Sequence, residues 1–378
     1  MPERPGLIVF SHLRWDFVFQ RPQHLISRFA ANRRVLFIEE PIHTPGQEPA
    51  WSLHRPAHNV LVAQLTTSEP APGFDAAHTD AFRRLLPPLL RSEGLEDYAL
   101  WLYTPLALPM AQVLEPRVVV YDCMDELSAF RGASPELLAR EAELLARADL
   151  VFTGGPSLFR AKRDRHPNVH CFPSSVDAAH FRAALDPSIA APDLAPLSRP
   201  RLGYYGVIDE RMDLDLLAAL AEMRPTWQIV MVGPVVKIDP ATLPRYPNIH
   251  YLGQRSYAEL PAYLAGWDVC LMPFALNEAT RFISPTKTLE YMAAEKPIVS
   301  TPITDVVDPY GDAVYVADTP HAFVAACERA LKESPAERAA RVERMRAVLA
   351  ATSWDETVAA MERLLAQRLE ARELSRVA

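Results

Sequence analysis

The sequence predicts an α/β protein made of two doubly wound parallel sheets in series, and three observations predict it. Short apolar runs of strand length alternate with helical stretches, the rhythm of a parallel sheet with crossover helices. That rhythm lapses once, in the proline-rich residues 183–200, and then restarts. At 378 residues the chain also exceeds the size at which one hydrophobic core keeps growing.

In the first half, strands are expected at 7–10, 35–39, 60–65, 98–103, 118–122 and 150–153. Helices are expected between them at 22–31, 76–90 and 135–146. In the second half the strands are 201–205, 228–232, 249–252, 269–272, 298–300 and 313–316. The helices there are 214–223, 257–265, 285–294, 320–332 and 335–350. These patterns give a first domain over 1–182, a linker over 183–200, a second domain over 201–352, and a closing amphipathic helix over 353–378.

Composition narrows the function classes. Formal net charge is -8, which argues against a general nucleic-acid binder. No apolar run reaches the roughly 18 residues of a spanning helix, and the opening residues lack a signal peptide's apolar core, so a cytoplasmic location is expected. The four cysteines lie far apart in apolar settings and read as reduced, structural thiols. Between Arg4 and Arg34 six arginines face the single acid Asp16. Such a patch suits an anionic membrane surface or acidic acceptor, and equally a solvated face whose arginines pair with acids such as Glu39 and Glu40.

The most informative segment is 284–300, a polar loop, a short helix and a buried strand in succession. Ser284 reads as an N-cap with Pro285 at the first helical position, and Thr286 completes the turn. Lys287 and Glu290 fall three apart, on one helix face. A cation beside free helical amides suits a diphosphate, and a carboxylate one turn further in suits ribose hydroxyls. The plainer reading is an exposed ion pair worth a few tenths of a kcal/mol. Gly206, between a strand and a helix, lets backbone approach a phosphate closely. Asp213 with Asp215 imitates a metal-binding pair, but Asp213 stands where a helix N-cap belongs, and no metal-ligand set occurs elsewhere.

The segment resembles the nucleotide-sugar motif of family-4-like GT-B glycosyltransferases, the glycosyl transferases group 1. Four further stretches are similar to that family, 148–181, 204–213, 247–274 and the acidic loop 121–126, so the resemblance covers most of the chain. It implies the GT-B architecture, two Rossmann-like domains facing a cleft. The implied activity is transfer of a sugar from a nucleotide-sugar donor to a hydroxyl of a glycan or lipid-linked acceptor, with retention. With no metal-ligand set in the sequence and Asp213 read as a cap, no metal or other cofactor is expected. A nucleotide-sugar epimerase of the same fold, or a binding protein without activity, remains open. Phe282 stands where the family has the first Glu of its Glu pair.

The resemblance makes Glu290 the ribose ligand and Lys287 the cation on the leaving diphosphate. Ser284, Pro285 and Thr286 form the donor loop with them. Val207 and Met212 replace the Arg and Lys that usually follow Gly206, so Arg211 and Arg281 become the substitute phosphate contacts, or else solvated loop arginines. Asp125 orients the donor sugar or the acceptor hydroxyl, or only caps its loop. His12, Arg14 and Trp15 replace the family's Gly-rich loop and offer side chains to the acceptor, unless Trp15 is core packing. Glu295 replaces a Gly, at a cost on the order of 1 kcal/mol if φ is positive there.

Overall fold

The computed structural model describes residues 4–377, and the chain divides into two compact units. The first comprises Met1–Pro173 with Asp355–Ala378, the second Ser174–Trp354.

The first unit holds β1 (Gly6–Ser11), α1 (Arg21–Phe29), β2 (Val35–His43), β3 (Ala50–Ala57), β4 (Val60–Thr67), α2 (Thr79–Ser92), β5 (Tyr98–Leu102), α3 (Leu108–Ala111), β6 (Val119–Cys123), α4 (Leu137–Arg147), β7 (Leu150–Thr153), α5 (Pro156–Lys162) and β8 (Val169–Cys171). Its sheet runs β3-β4-β2-β1-β5-β6-β7-β8. All pairings are parallel except that of β3 with β4. β1 and β5 are buried along their whole length, as strands covered on both faces must be. Sequence reasoning missed β3, because its residues are mostly exposed and it contains Pro56. A proline is tolerated there because β3 is an edge strand whose register shifts between His54 and Ala57.

The second unit holds α6 (Ala178–Arg182), β9 (Arg201–Tyr205), α7 (Leu214–Met223), β10 (Gln228–Val232), β11 (Ile249–Gly253), α8 (Leu260–Gly266), β12 (Val269–Met272), α9 (Lys287–Ala293), β13 (Ile298–Ser300), α10 (Thr304–Tyr310), β14 (Tyr315–Val316), α11 (Pro320–Leu331) and α12 (Pro335–Ala350). Its parallel sheet runs β11-β10-β9-β12-β13-β14. The order reverses direction between β9 and β12, and the carboxyl ends of strands at such a switch point are where open α/β sheets bind ligands. The last helix, α13 (Trp354–Val377), lies with the first unit from Asp355 onward.

The expected linker is not one. Residues 183–200 fold as short turns packed on the second unit, anchored by buried Ala184, Ala191 and Leu194, and the Ala191 amide donates to the Ala262 carbonyl at 3.0 Å. The prolines start 3-10 turns at Pro187–Ile189 and Pro192–Leu194, where a fixed φ helps. The boundary therefore falls after Pro173.

Glu295 does adopt positive φ, at 53°. Its carboxylate accepts from Arg346 at 2.6 and 2.9 Å, and its carbonyl accepts from Arg341 at 3.2 Å. Those contacts offset part of the backbone cost.

Candidate functional site

Four of the expected residues, Gly206, Arg211, Lys287 and Glu290, come together in the second unit at the carboxyl ends of β9 and β12. Gly206 leaves β9 with φ of +131°, a region closed to residues with a Cβ. A Cβ built there would stand 3.1 Å from Lys287 Cε and 3.3 Å from its Nζ. On its other side, a Cβ on Gly233 would come within 1.9 Å of the Gly206 carbonyl oxygen. Gly233 thus lets the loop after β10 lie against Gly206. Sequence reasoning missed it, although a glycine directly after a strand is a usable signal.

The loop from Gly206 to Asp213 is tied to the segment following β12. The Asp213 amide donates to the Pro273 carbonyl at 2.9 Å, and the Ala275 amide to the Arg211 carbonyl at 2.8 Å. Asp213 is the N-cap of α7, accepting from the Leu216 amide at 2.8 Å. Arg211 forks onto both oxygens of Asp209, the shortest contact being 2.7 Å, which fixes its guanidinium within the loop. Asp209 gave no signal in the sequence.

Lys287 is half-buried. Its ammonium lies 5.2 Å from the Tyr204 ring centroid and 5.3 Å from that of Phe274, within cation–π range. Among the described residues no carboxylate or other hydrogen-bond acceptor pairs with it. Burial pulls its pKa down, and the nearby Arg211 pulls further the same way, against Glu290 and Asp209. An ammonium so placed has carboxylates near it but no hydrogen-bonded counter-charge.

Glu290 is 7% exposed and forms no ion pair with Lys287, so the exposed-pair reading fails. Its Oε2 accepts a 2.6 Å hydrogen bond from the Tyr205 hydroxyl. Burial pushes its carboxyl well up, opposed by the Tyr205 bond and by Lys287. Tyr205 was not foreseen: its partner is 85 positions away, and nothing local marks it.

Other expectations are corrected. Ser284 is not an N-cap and Pro285 is not helical; Thr286 precedes α9 without a side-chain cap. The turn is tight, with the Thr288 amide on the Pro285 carbonyl at 3.1 Å. At seven residues α9 has little macrodipole, so the Lys287 side chain, not the helix end, is what the site offers an anion. Arg281 is exposed, 3.6 Å from Glu278 and over the Phe282 ring at 5.1 Å.

His12, Arg14, Trp15 and Asp125 belong to the first unit. Trp15 is core: it packs edge-on against Phe37 and its amide donates to Glu39 at 2.7 Å. Arg14 lies 3.4 Å from Glu39. His12 is half-buried beside them. Asp125 lies half-buried in the loop after β6, and that loop is pinned by Glu126, which pairs at 2.6 Å with the buried Lys162. The same lysine holds Glu141 at 2.6 Å. Arg21 and Asp122 form a fully buried pair at 2.9 Å, joining the start of α1 to β6.

The arginine run of the first unit is also largely internal. Arg4 and Arg33 pair with Glu362, Arg14 with Glu39, Arg21 with Asp122, and Arg28 with Asp355 at 2.6 Å. Among the described residues no helix is long and apolar enough to cross a membrane, and no three His, Cys, Asp or Glu side chains gather as a metal site. The four thiols are free.

Two parallel-dominated sheets, each with a switch point, define a GT-B protein, and solved structures agree. Over 97% of this chain and 100% of the other it is similar to a sucrose-phosphate synthase from Thermosynechococcus elongatus, with a TM-score of 0.69 at 18% identity. Over 95% and 99% it is similar to an α,α-trehalose-phosphate synthase (UDP-forming) from Burkholderia xenovorans, with a TM-score of 0.71 at 14% identity. A putative teichuronic acid biosynthesis glycosyltransferase, TuaH, of Bacillus subtilis (strain 168) is 28% identical over 286 residues, 68% of this chain and 71% of the relative. Residues 199–333 match the family described as glycosyl transferases group 1. The chain therefore has the GT-B fold, and its residues 199–333 are similar to the glycosyl transferases group 1.

Proposed function

We propose that this enzyme transfers a sugar from a nucleoside-diphosphate donor to a hydroxyl of a cell-envelope polysaccharide or lipid-linked glycan. The observation that carries the donor reading is the Lys287 ammonium, held against Gly206 without a hydrogen-bonded counter-charge. A diphosphate would supply that charge, and its growing negative charge as it leaves is what Lys287 and Arg211 stabilise. Glu290, one turn further, would take ribose hydroxyls on the oxygen that Tyr205 leaves open.

Retention of configuration belongs to the same proposal. The carboxylates nearest Lys287 are engaged, Asp209 by Arg211 and Glu290 by Tyr205, which favours the departing phosphate as acceptor of the incoming hydroxyl's proton. The envelope acceptor rests on the likeness to TuaH, whose name specifies teichuronic acid biosynthesis. Asp125, on its pinned loop, is proposed to orient the donor sugar or acceptor. A cytoplasmic setting is proposed because nucleotide-sugar chemistry and four free thiols fit it. Attachment to an anionic membrane face has lost its main support, since most of the arginines behind it hold carboxylates.

Release of free sugar from UDP-, GDP-, ADP- and dTDP-sugars, with and without EDTA, tests the proposal. Slow hydrolysis of one donor, unaffected by EDTA, is expected. Hydrolysis of none, or loss in EDTA restored by Mg²⁺, contradicts it.

A further inference from the structure

Resting on the reading of Glu290 as the ribose ligand, we propose that Tyr205 is a positioning residue for donor binding: it clamps one oxygen of the Glu290 carboxylate so that the other faces the ribose hydroxyls. The 2.6 Å bond runs from the Tyr205 hydroxyl to Oε2 alone. Oε1 has no hydrogen-bond partner among the described residues, yet it is not one of the sealed, unsatisfied polar atoms. The carboxylate therefore has one fixed oxygen and one that opens to solvent.

Tyr205 is itself immobilised. Its ring packs in a cluster with Tyr291, at 5.0 Å between centroids, and Trp267, at 5.9 Å. Its amide donates to the Tyr291 hydroxyl at 3.2 Å. A clamp on a packed strand end is rigid, so the carboxylate's orientation is set before any nucleotide arrives.

The clamp also acts on charge. Burial favours the neutral carboxyl at Glu290, whereas the Tyr205 bond and Lys287 favour the carboxylate that ribose hydroxyls require. The titratable groups around it are Tyr205 and Cys270 on the strands, Lys287 and Tyr291 on α9, and Arg211 with Asp209 on the loop after β9, which act through Lys287. Deleting the hydroxyl raises the Glu290 pKa further. The loss of nucleotide affinity should then grow as pH falls, and the wild-type-to-variant ratio cancels every group common to both proteins.

Calorimetric titration of wild type, Tyr205→Phe and Glu290→Gln with UDP, GDP, ADP and dTDP at pH 6 and pH 8.5 tests this. Tyr205→Phe keeps every ring contact, and its thermal unfolding is recorded as a control. We expect Glu290→Gln to weaken the bound nucleotide about tenfold or more at pH 8.5. Tyr205→Phe should weaken it about tenfold at pH 6 and less than about threefold at pH 8.5. A Tyr205→Phe loss that is absent at both pH values, while Glu290→Gln binds weakly, overturns the clamp and leaves the ribose role standing. No effect of Glu290→Gln, or no nucleotide bound by wild type, overturns the ribose role and the clamp with it.

Discussion

Lys287 lies so close to Gly206 that a Cβ on the glycine would stand 3.1 Å from its Cε. The glycine's positive φ and the lysine's place are thus one feature, joining the end of β9 to the start of α9. Gly206→Ala should displace the ammonium as well as strain the loop. We expect turnover to fall at least about tenfold, equivalent to roughly 1.4 kcal/mol in the barrier. Wild-type turnover in a folded Gly206→Ala would separate the two residues.

On the proposed reading, Lys287→Ala removes the cation that faces the leaving group, whose charge grows in the transition state. Steady-state kinetics should show kcat lowered about tenfold or more, with a smaller change in KM, because ground-state binding keeps Arg211 and Glu290. If instead Arg211→Ala is inactive and Lys287→Ala is not, the leaving-group cation is Arg211.

The same buried charges set a pH signature for stability. Burial raises the folded-state pKa of Glu290, so the folded chain holds this proton more tightly than the unfolded one. Its stabilising effect is fully present below the ordinary carboxylate value of about 4.3 and is lost as pH rises through the raised value. Glu290→Gln should therefore raise Tm relative to wild type at pH 8, with the gap narrowing toward pH 5. Lys287 behaves oppositely: its lowered folded value makes the charge costly at neutral pH, a cost relieved as pH climbs toward about 10.4. Scanning calorimetry at the two pH values checks this, and a Tm gap independent of pH would refute it.

The buried Arg21–Asp122 pair should matter to the fold of the first unit. Asp122→Ala leaves a 2% exposed guanidinium without its carboxylate, which costs about 3–5 kcal/mol in such settings. Urea unfolding should show that loss, and a change under about 1 kcal/mol would mean that Arg21 finds another partner.

The sheets, most helices and the placing of Lys287 and Glu290 on one short helix were legible because they depend on spacing within a short window. Asp213 read correctly as a cap for the same reason, and the positive φ at Glu295 was anticipated only as one of two outcomes, from the Gly that the resembling family has there. What stayed hidden depends on partners far along the chain. Tyr205 looks like any aromatic at a strand end until Glu290 folds beneath it, and Asp209 looks like an ordinary loop acid. Residues 183–200 misled because proline was read as punctuation, whereas buried Ala184, Ala191 and Leu194 anchor the turns those prolines begin. The arginine run misled for a related cause: its carboxylates Asp122, Asp355 and Glu362 lie far away in sequence.

The central claim is that Gly206, Lys287 and Glu290 together hold the donor's nucleoside diphosphate. A crystal structure of the enzyme grown with the nucleotide that binds in titration tests it most directly. A phosphate oxygen within hydrogen-bond distance of Lys287 Nζ and a ribose hydroxyl on Glu290 Oε1 are expected, with Tyr205 still bonded to Oε2. A nucleotide bound elsewhere in the chain, with Lys287 and Glu290 untouched, would contradict it.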